Sequence, residues 1–93
     1  MTSRSWRITL FDWDQGNIDH IAEHGVETGE VEEVFRGRLY VRRVRDRYIV
    51  LGRTATGRQL FTVLERQPGR GVRVITARDM NDSERRLLER RAQ

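Results

Sequence analysis

The sequence predicts an α+β domain: an antiparallel sheet with two N-terminal helices on one face and a C-terminal helix, in the order β-α-α-β-β-β-β-α. Three observations carry this. Apolar residues recur at three-and-four spacing in two short stretches near the N terminus, and a capping-box pattern followed by Leu87 and Leu88 marks a helix near the C terminus. Four runs rich in β-branched and aromatic residues lie between them, at about 39–44, 47–54, 58–65 and 72–78. The turns joining these runs are short enough to require antiparallel hairpins.

The elements follow in order. Trp6, Ile8, Thr9, Leu10 and Phe11 read as a first strand over 6–11. Asp12 and Asp14 end it, and Asp14 caps a first helix running to Glu23 or His24. Ile18, Ile21 and Ala22 give that helix one apolar face, and Gly25 fits a left-handed stop. A second helix spans about 28–35, with Thr28 as its expected cap and Val31, Val34 and Phe35 as its buried stripe. The hairpin turns fall at Arg45–Asp46 and at Ala55, Thr56 and Gly57, and a Pro-Gly turn at 67–71 precedes the last strand. Asn81 and Glu84 form a candidate capping box for a final helix, with Asp82 competing as the cap. Strict alternation in the last strand sets Arg73, Ile75 and Ala77 on one face and Val72, Val74, Thr76 and Arg78 on the other.

Ninety-three residues support one domain, 1–93, with a single modest core. With no cysteine, the chain has no disulfide framework and no thiol nucleophile. No apolar run is long enough to span a membrane, and nothing at the start resembles a signal peptide, so a cytoplasmic protein is expected.

Charge divides the chain in two. Residues 36–93 hold 16 Arg against 6 acids, whereas residues 1–35 hold 2 Arg against 8 acids; there is no lysine. Guanidinium forks match phosphate oxygens bidentately and stay charged at any workable pH. A cationic lobe of this kind suits nucleic acid, although a solubilising coat would have the same composition. Arg53, Arg58, Arg73 and Arg78 lie at or near strand ends, where neighbouring strands would bring them together. Like charges that converge favour an anion between them; the competing reading pairs each arginine with Glu65, Asp79 or Glu84.

Two other constellations fit metals less well. His20 and His24 share a helical face, but no third ligand stands at an obvious spacing. Asp12 and Asp14 read better as strand punctuation and a helix cap than as a magnesium site. No metal and no cofactor is expected. His24 is the candidate for acid–base work near neutral pH.

Several stretches together resemble the BrnT-type toxins. They are Trp13-Asp14, then His24-Gly25-Val26, then the Glu-rich 30–35 helix. Farther on, Gly52-Arg53 and Gly57-Arg58 with Leu60 match a paired glycine–arginine pattern, residues 73–78 match an R-I-I-S-A-R signature, and Glu84-Arg85 matches the start of the last helix. The resemblance covers about 11–86. Where that family usually carries a lysine before the histidine and an asparagine four residues earlier, Glu23 and His20 stand here.

The resemblance implies a RelE-like fold and a ribonuclease toxin of a type II toxin–antitoxin pair. It implies RNA as substrate and a cognate antitoxin as partner, with DNA reached only through the antitoxin's DNA-binding part. A metal-free ribonuclease directs the RNA's own 2′-hydroxyl onto the adjacent phosphate, which requires proton transfer and charge stabilisation. Arg53 and Arg78 are the candidate charge clamp, with His24, Glu84 or Glu65 for proton transfer and Arg58 and Arg73 for the RNA backbone. The alternatives are a non-catalytic nucleic-acid-binding module and a protein-interaction domain using the same arginine-rich surface.

Overall fold

The computed structural model describes residues 10–69 and 71–91. The elements are β1 (Leu10–Phe11), α1 (Gln15–Ala22), α2 (Thr28–Val34), β2 (Tyr40–Val44), β3 (Arg47–Arg53), β4 (Gln59–Arg66), β5 (Gly71–Asp79) and α3 (Asp82–Arg91). This is the order the sequence predicts. The part of the first strand expected at 6–9 lies outside the described residues. Among the described residues, no helix is long and apolar enough to cross a membrane.

The caps explain most element boundaries. Asp14 Oδ1 accepts from the Asn17 backbone N–H at 2.8 Å and opens α1, and Gly25 at φ +71° closes the turn after it. The cap of α2 is Glu27 rather than the expected Thr28. Glu27 is the last extended residue, and its N–H donates to Glu30 Oε1 at 3.0 Å. At α3 the capping box is reciprocal: Glu84 N donates to Asn81 Oδ1 (2.9 Å) and Asn81 N donates to Glu84 Oε1 (3.0 Å). Asn81 therefore caps the helix, and Asp82 is its first residue.

The sheet order is β1-β5-β4-β3-β2. Strands β2 to β5 pair antiparallel, but β1 runs parallel to β5 through Leu10↔Gly71 and Phe11↔Val72. The sheet is therefore mixed, which corrects the expected all-antiparallel arrangement. Hairpin lengths constrain only consecutive strands, and no turn joins β1 to β5.

A second correction concerns β5. Its pairing with β4 slips by one residue: Val63 faces Thr76 but Leu64 faces Val74, which leaves Ile75 unpaired. This bulge reverses the alternation halfway along the strand. Val72, Val74 and Ala77 consequently share one face and are all buried, while Arg73 and Arg78 share the other.

Helices cover the two faces unequally. Ile21, Val26, Val31 and Val34 pack with Val50, Leu60, Leu64, Val72, Val74 and Ala77 to form the main core under α1 and α2. Ile18 and Phe35 are only half-buried, and Phe35 meets the Phe11 ring edge-on at 5.4 Å. On the opposite face α3 covers one end, where Leu51, Met80 and Leu88 pack with Tyr40, Ile49, Phe61 and Leu87. Among the described residues no helix covers the rest of that face, which we call the open face, and Arg42, Arg47 and Arg73 lie on it.

Gly52 sets how closely α2 approaches the sheet. A Cβ at this position would lie 2.6 Å from Val34 Cγ1 and 3.0 Å from Leu39 Cδ2. We expect Gly52→Ala to lower unfolding stability by about 1–3 kcal/mol, the usual scale of overpacking. Chemical denaturation checks this, and an unchanged midpoint would show that the layer tolerates the methyl group.

Candidate functional site

The bulge places Arg78 on the open face beside the start of α3. Its guanidinium lies over the Phe61 ring at 3.9 Å, a stacking that follows from the cross-strand pair Phe61↔Arg78. Nη1 donates to Glu84 Oε1 at 2.9 Å and Nη2 to Glu84 Oε2 at 3.0 Å. Nη1 also donates to the Asp79 carbonyl at 3.0 Å. Glu84 thus grips the guanidinium end-on. The side-on edge, formed by Nε–H and the second Nη2–H, donates to nothing among the described residues. A guanidinium held this way can still offer a planar two-donor fork to a phosphate.

Glu84 serves both the pair and the helix cap. Burial raises its pKa, but the Arg78 hydrogen bonds, the Asn81 N–H and the charges of Arg78 and Arg85 outweigh that and bring it below the ordinary glutamate value. It is therefore a carboxylate at neutral pH.

Arg53 ends β3 on the same face and is exposed. Its cross-strand neighbour is Gln59, whose carboxamide oxygen, in the orientation that satisfies both groups, accepts from Arg53 Nε at 3.2 Å and Nη2 at 3.3 Å. Arg53 also borders an open hollow of about 220 Å³, lined with Glu33, Arg36, Gly37, Thr54 and Ala55. Leu51↔Phe61↔Arg78 forms one row across the sheet and Arg53↔Gln59 the next, so Arg53 and Arg78 occupy one end of one face.

Arg58 is arranged differently. It emerges toward the α1–α2 layer and its donors are spent within the fold. Nε and Nη2 donate to Asp79 at 2.8 and 3.2 Å, and Nη1 donates to the Gly25 carbonyl at 2.8 Å and to Glu30 Oε1 at 3.0 Å. It ties the α1–α2 connection, α2 and the end of β5 to the start of β4. The Arg58 hydrogen bonds hold Asp79 below the ordinary aspartate value in spite of some burial.

Arg73 lies at the far end of the open face, beyond the bulge. Its Nη2 is 2.9 Å from Asp14 Oδ2 and its Nη1 is 3.8 Å from Asp12 Oδ2. Asp12 and Asp14 therefore act together on an arginine. Asp14 is held below its ordinary value first by the Asn17 N–H and also by Arg73. Beside Arg73, Glu65 receives Arg47 at 3.4 Å.

His24 is exposed just past the end of α1, on the layer opposite the Arg78–Glu84 pair, with its ring 5.7 Å from that of His20. No group of three or more histidines and acids suited to a metal occurs among the described residues.

The four arginines singled out in the sequence thus fall into three places. Arg53 and Arg78 share one end of the open face, two strands apart, Arg73 sits farther along the same face, and Arg58 belongs to the helical layer. Sequence reasoning missed the Phe61 platform, the Gln59 partner and Glu30 beside Arg58, whereas Asp79 and Glu84 are two of the acids that its competing reading paired with arginines. The Gln59 partner needed only the register of the β3–β4 hairpin, whose turn is closed by the Thr54 N–H donating to the Arg58 carbonyl at 2.9 Å. The side of the sheet that Arg78 takes depended on the bulge, which carries no glycine or proline to mark it.

A profile of the BrnT ribonuclease toxins of type II toxin–antitoxin systems matches residues 13–84. The chain belongs to the BrnT family. No curated protein matches it significantly. The BrnT match begins at Trp13, whose Nε1 donates to Glu32 Oε2 at 2.8 Å, and ends at Glu84, the partner of Arg78. It contains the whole sheet from β2 to β5 and both N-terminal helices. The family is one of ribonucleases and, being type II, of toxins with a protein antitoxin.

Arg58 and Asp79 generate a pH-dependent prediction. Because the folded pKa of Asp79 is depressed, its contribution is present above the unfolded value near ~3.9 and fades as pH falls through the lower folded value. We expect Arg58→Gln to cost roughly 1–3 kcal/mol at pH 7, within the range for hydrogen bonds to charged groups. The gap from wild type should narrow below about pH 4. Denaturation midpoints at pH 7, 5 and 3 test this; a gap constant across that range would remove Arg58–Asp79 from the account.

Proposed function

We propose that this BrnT-family chain is a metal-independent endoribonuclease that binds RNA on the open sheet face and cleaves it at the Arg53–Arg78 end. The observation that carries the proposal is the Arg78 guanidinium, half-buried, stacked on Phe61 and gripped end-on by Glu84, which leaves its Nε edge without an acceptor among the described residues.

The scissile phosphate docks on the Arg78 fork, with Arg53 on the other side. Glu84 accepts the proton of the 2′-hydroxyl as that oxygen bonds to phosphorus. The bond to the 5′-oxygen breaks and the leaving oxygen takes a proton from water, which yields a 2′,3′-cyclic phosphate and a 5′-hydroxyl. Both guanidiniums neutralise the charge that builds on the phosphoryl oxygens. Glu84 is a weak base because its pKa is depressed, and proximity to the clamped phosphate compensates for this. His24, on the opposite layer, makes no contact with the phosphate in this scheme. Arg73 tracks the RNA backbone, while Arg58 acts through the fold by fixing the layer behind the site.

A cognate antitoxin, cytoplasmic like the toxin, inhibits by covering the same basic face, and its own DNA-binding part supplies any contact with DNA. Cleavage by purified, antitoxin-free chain, with and without ribosomes, tests the proposal. Activity should persist in EDTA. Arg53→Ala and Arg78→Ala should each lower it by roughly a hundredfold or more, the scale for losing one electrostatic stabiliser. Arg78→Lys should fail to restore it, since a point charge replaces the fork. The rate should be flat around neutral pH and unaffected by His24→Ala. A neutral-pH inflection that His24→Ala abolishes would transfer the proton role to His24. Absence of cleavage by folded chain under both conditions would leave only a binding module.

A further inference from the structure

Apart from Arg53, the hollow beside it is lined by residues the cleavage scheme does not use. Arg36 and Arg53 border it, Gly37, Thr54 and Ala55 complete its lining, and Glu33 adds a carboxylate. Glu33 Oε1 already accepts the Ala55 N–H at 3.0 Å, which fixes the side chain against the β3–β4 turn. A carboxylate is out of place in a pocket for phosphate, which it repels. It suits a ligand that presents hydrogen-bond donors between flanking guanidinium planes.

We propose that this hollow is a guanine subsite, reading the base of a nucleotide next to the phosphate held by Arg53. The proposal rests on the ribonuclease reading and adds base preference to it. Guanidinium planes stack on nucleobases, and single-stranded RNA is read by splaying bases onto such surfaces. Only guanine carries two adjacent donors, N1–H and the N2 amino group, on its Watson–Crick edge. A carboxylate accepts both at once, whereas adenine and cytosine set a ring acceptor beside their amino group and uracil flanks its single donor with carbonyls. The volume of about 220 Å³ is below the ~300–1,000 Å³ typical of sites for drug-sized ligands and suits one ring system. Gly37 keeps the wall at the end of α2 free of a side chain.

The test follows binding of the four ribonucleoside 3′- and 5′-monophosphates by calorimetry and backbone amide shifts. Guanosine monophosphates should bind about tenfold tighter than the others, the scale of one bidentate base contact, and shift the Gly37 and Ala55 amides. Glu33→Gln keeps an acceptor for the Ala55 N–H but removes the charge, and should abolish the preference. Arg53→Ala should weaken all four nucleotides together. Equal affinity for the four bases, or a preference that survives Glu33→Gln, overturns the subsite. If Glu33→Gln does not fold, Arg36→Ala takes its place; loss of guanosine affinity supports the subsite and unchanged affinity overturns it. A 2′-deoxy oligonucleotide with one guanine among uracils should bind tighter than the mononucleotide. The reverse order would identify a free guanine nucleotide as the ligand and overturn the RNA assignment. Guanine binding without RNA cleavage would sink the ribonuclease reading alone, and cleavage without base preference would sink the subsite alone.

Discussion

One unpaired residue in β5 organises both faces of the sheet. Ile75 has no partner on β4, so the alternation restarts after it. Before the bulge Val72 and Val74 enter the core, and after it Ala77 does the same. Without it, Val72 and Val74 would oppose Ala77, and Arg73 would oppose Arg78. The slip keeps the helix-covered face apolar along the whole strand and gathers the arginines on the other. Bulges recur beside functional sites because they re-aim side chains in this way.

Around that framework the arginines divide into two kinds of work. Arg58 is spent internally, with acids of two elements and a carbonyl on its guanidinium. Its partners Glu30 and Asp79 come from the acidic helical lobe and from the sheet, so the unequal charge of the two halves also holds them together. Among the described residues Arg78 has one carboxylate partner, Glu84, and no acceptor on its Nε edge, whereas Arg53 and Arg36 border a hollow. In the proposed reading, the charge left on the open face serves a polyanionic partner, and the acidic α1–α2 layer lies on the other side of the sheet. Such an arrangement orients a polyanion before contact.

The element order, the hairpins and most helix caps were legible because each rests on local chemistry. Asp14 and Asn81 cap their helices by side-chain hydrogen bonds within three residues, and Gly25 turns where a left-handed residue is needed. What was not legible depended on distant residues. The direction of β1 is fixed by its pairing with β5, some sixty residues on. The faces of β5 depend on a bulge that no turn residue announces. The same holds for the site: Arg53 and Arg78 stood out in the sequence, but the separation of Arg58 from them needed Glu30 and Asp79 in place. Glu27 in place of Thr28 as the cap of α2 is a smaller case, in which a glutamate serves where a hydroxyl was expected.

The most direct measurement is amide and arginine side-chain shift mapping of the folded chain with a non-cleavable 2′-deoxy RNA oligonucleotide. The account predicts perturbations on the open face and at its Arg53 end: Arg53, Gln59, Phe61, Arg73, Thr76, Arg78 and Glu84, with Gly37 and Ala55 beside the hollow. Resonances of α1, including His20 and His24, should stay in place. Perturbations centred on α1 and α2, with Phe61 and Arg78 unmoved, would contradict it.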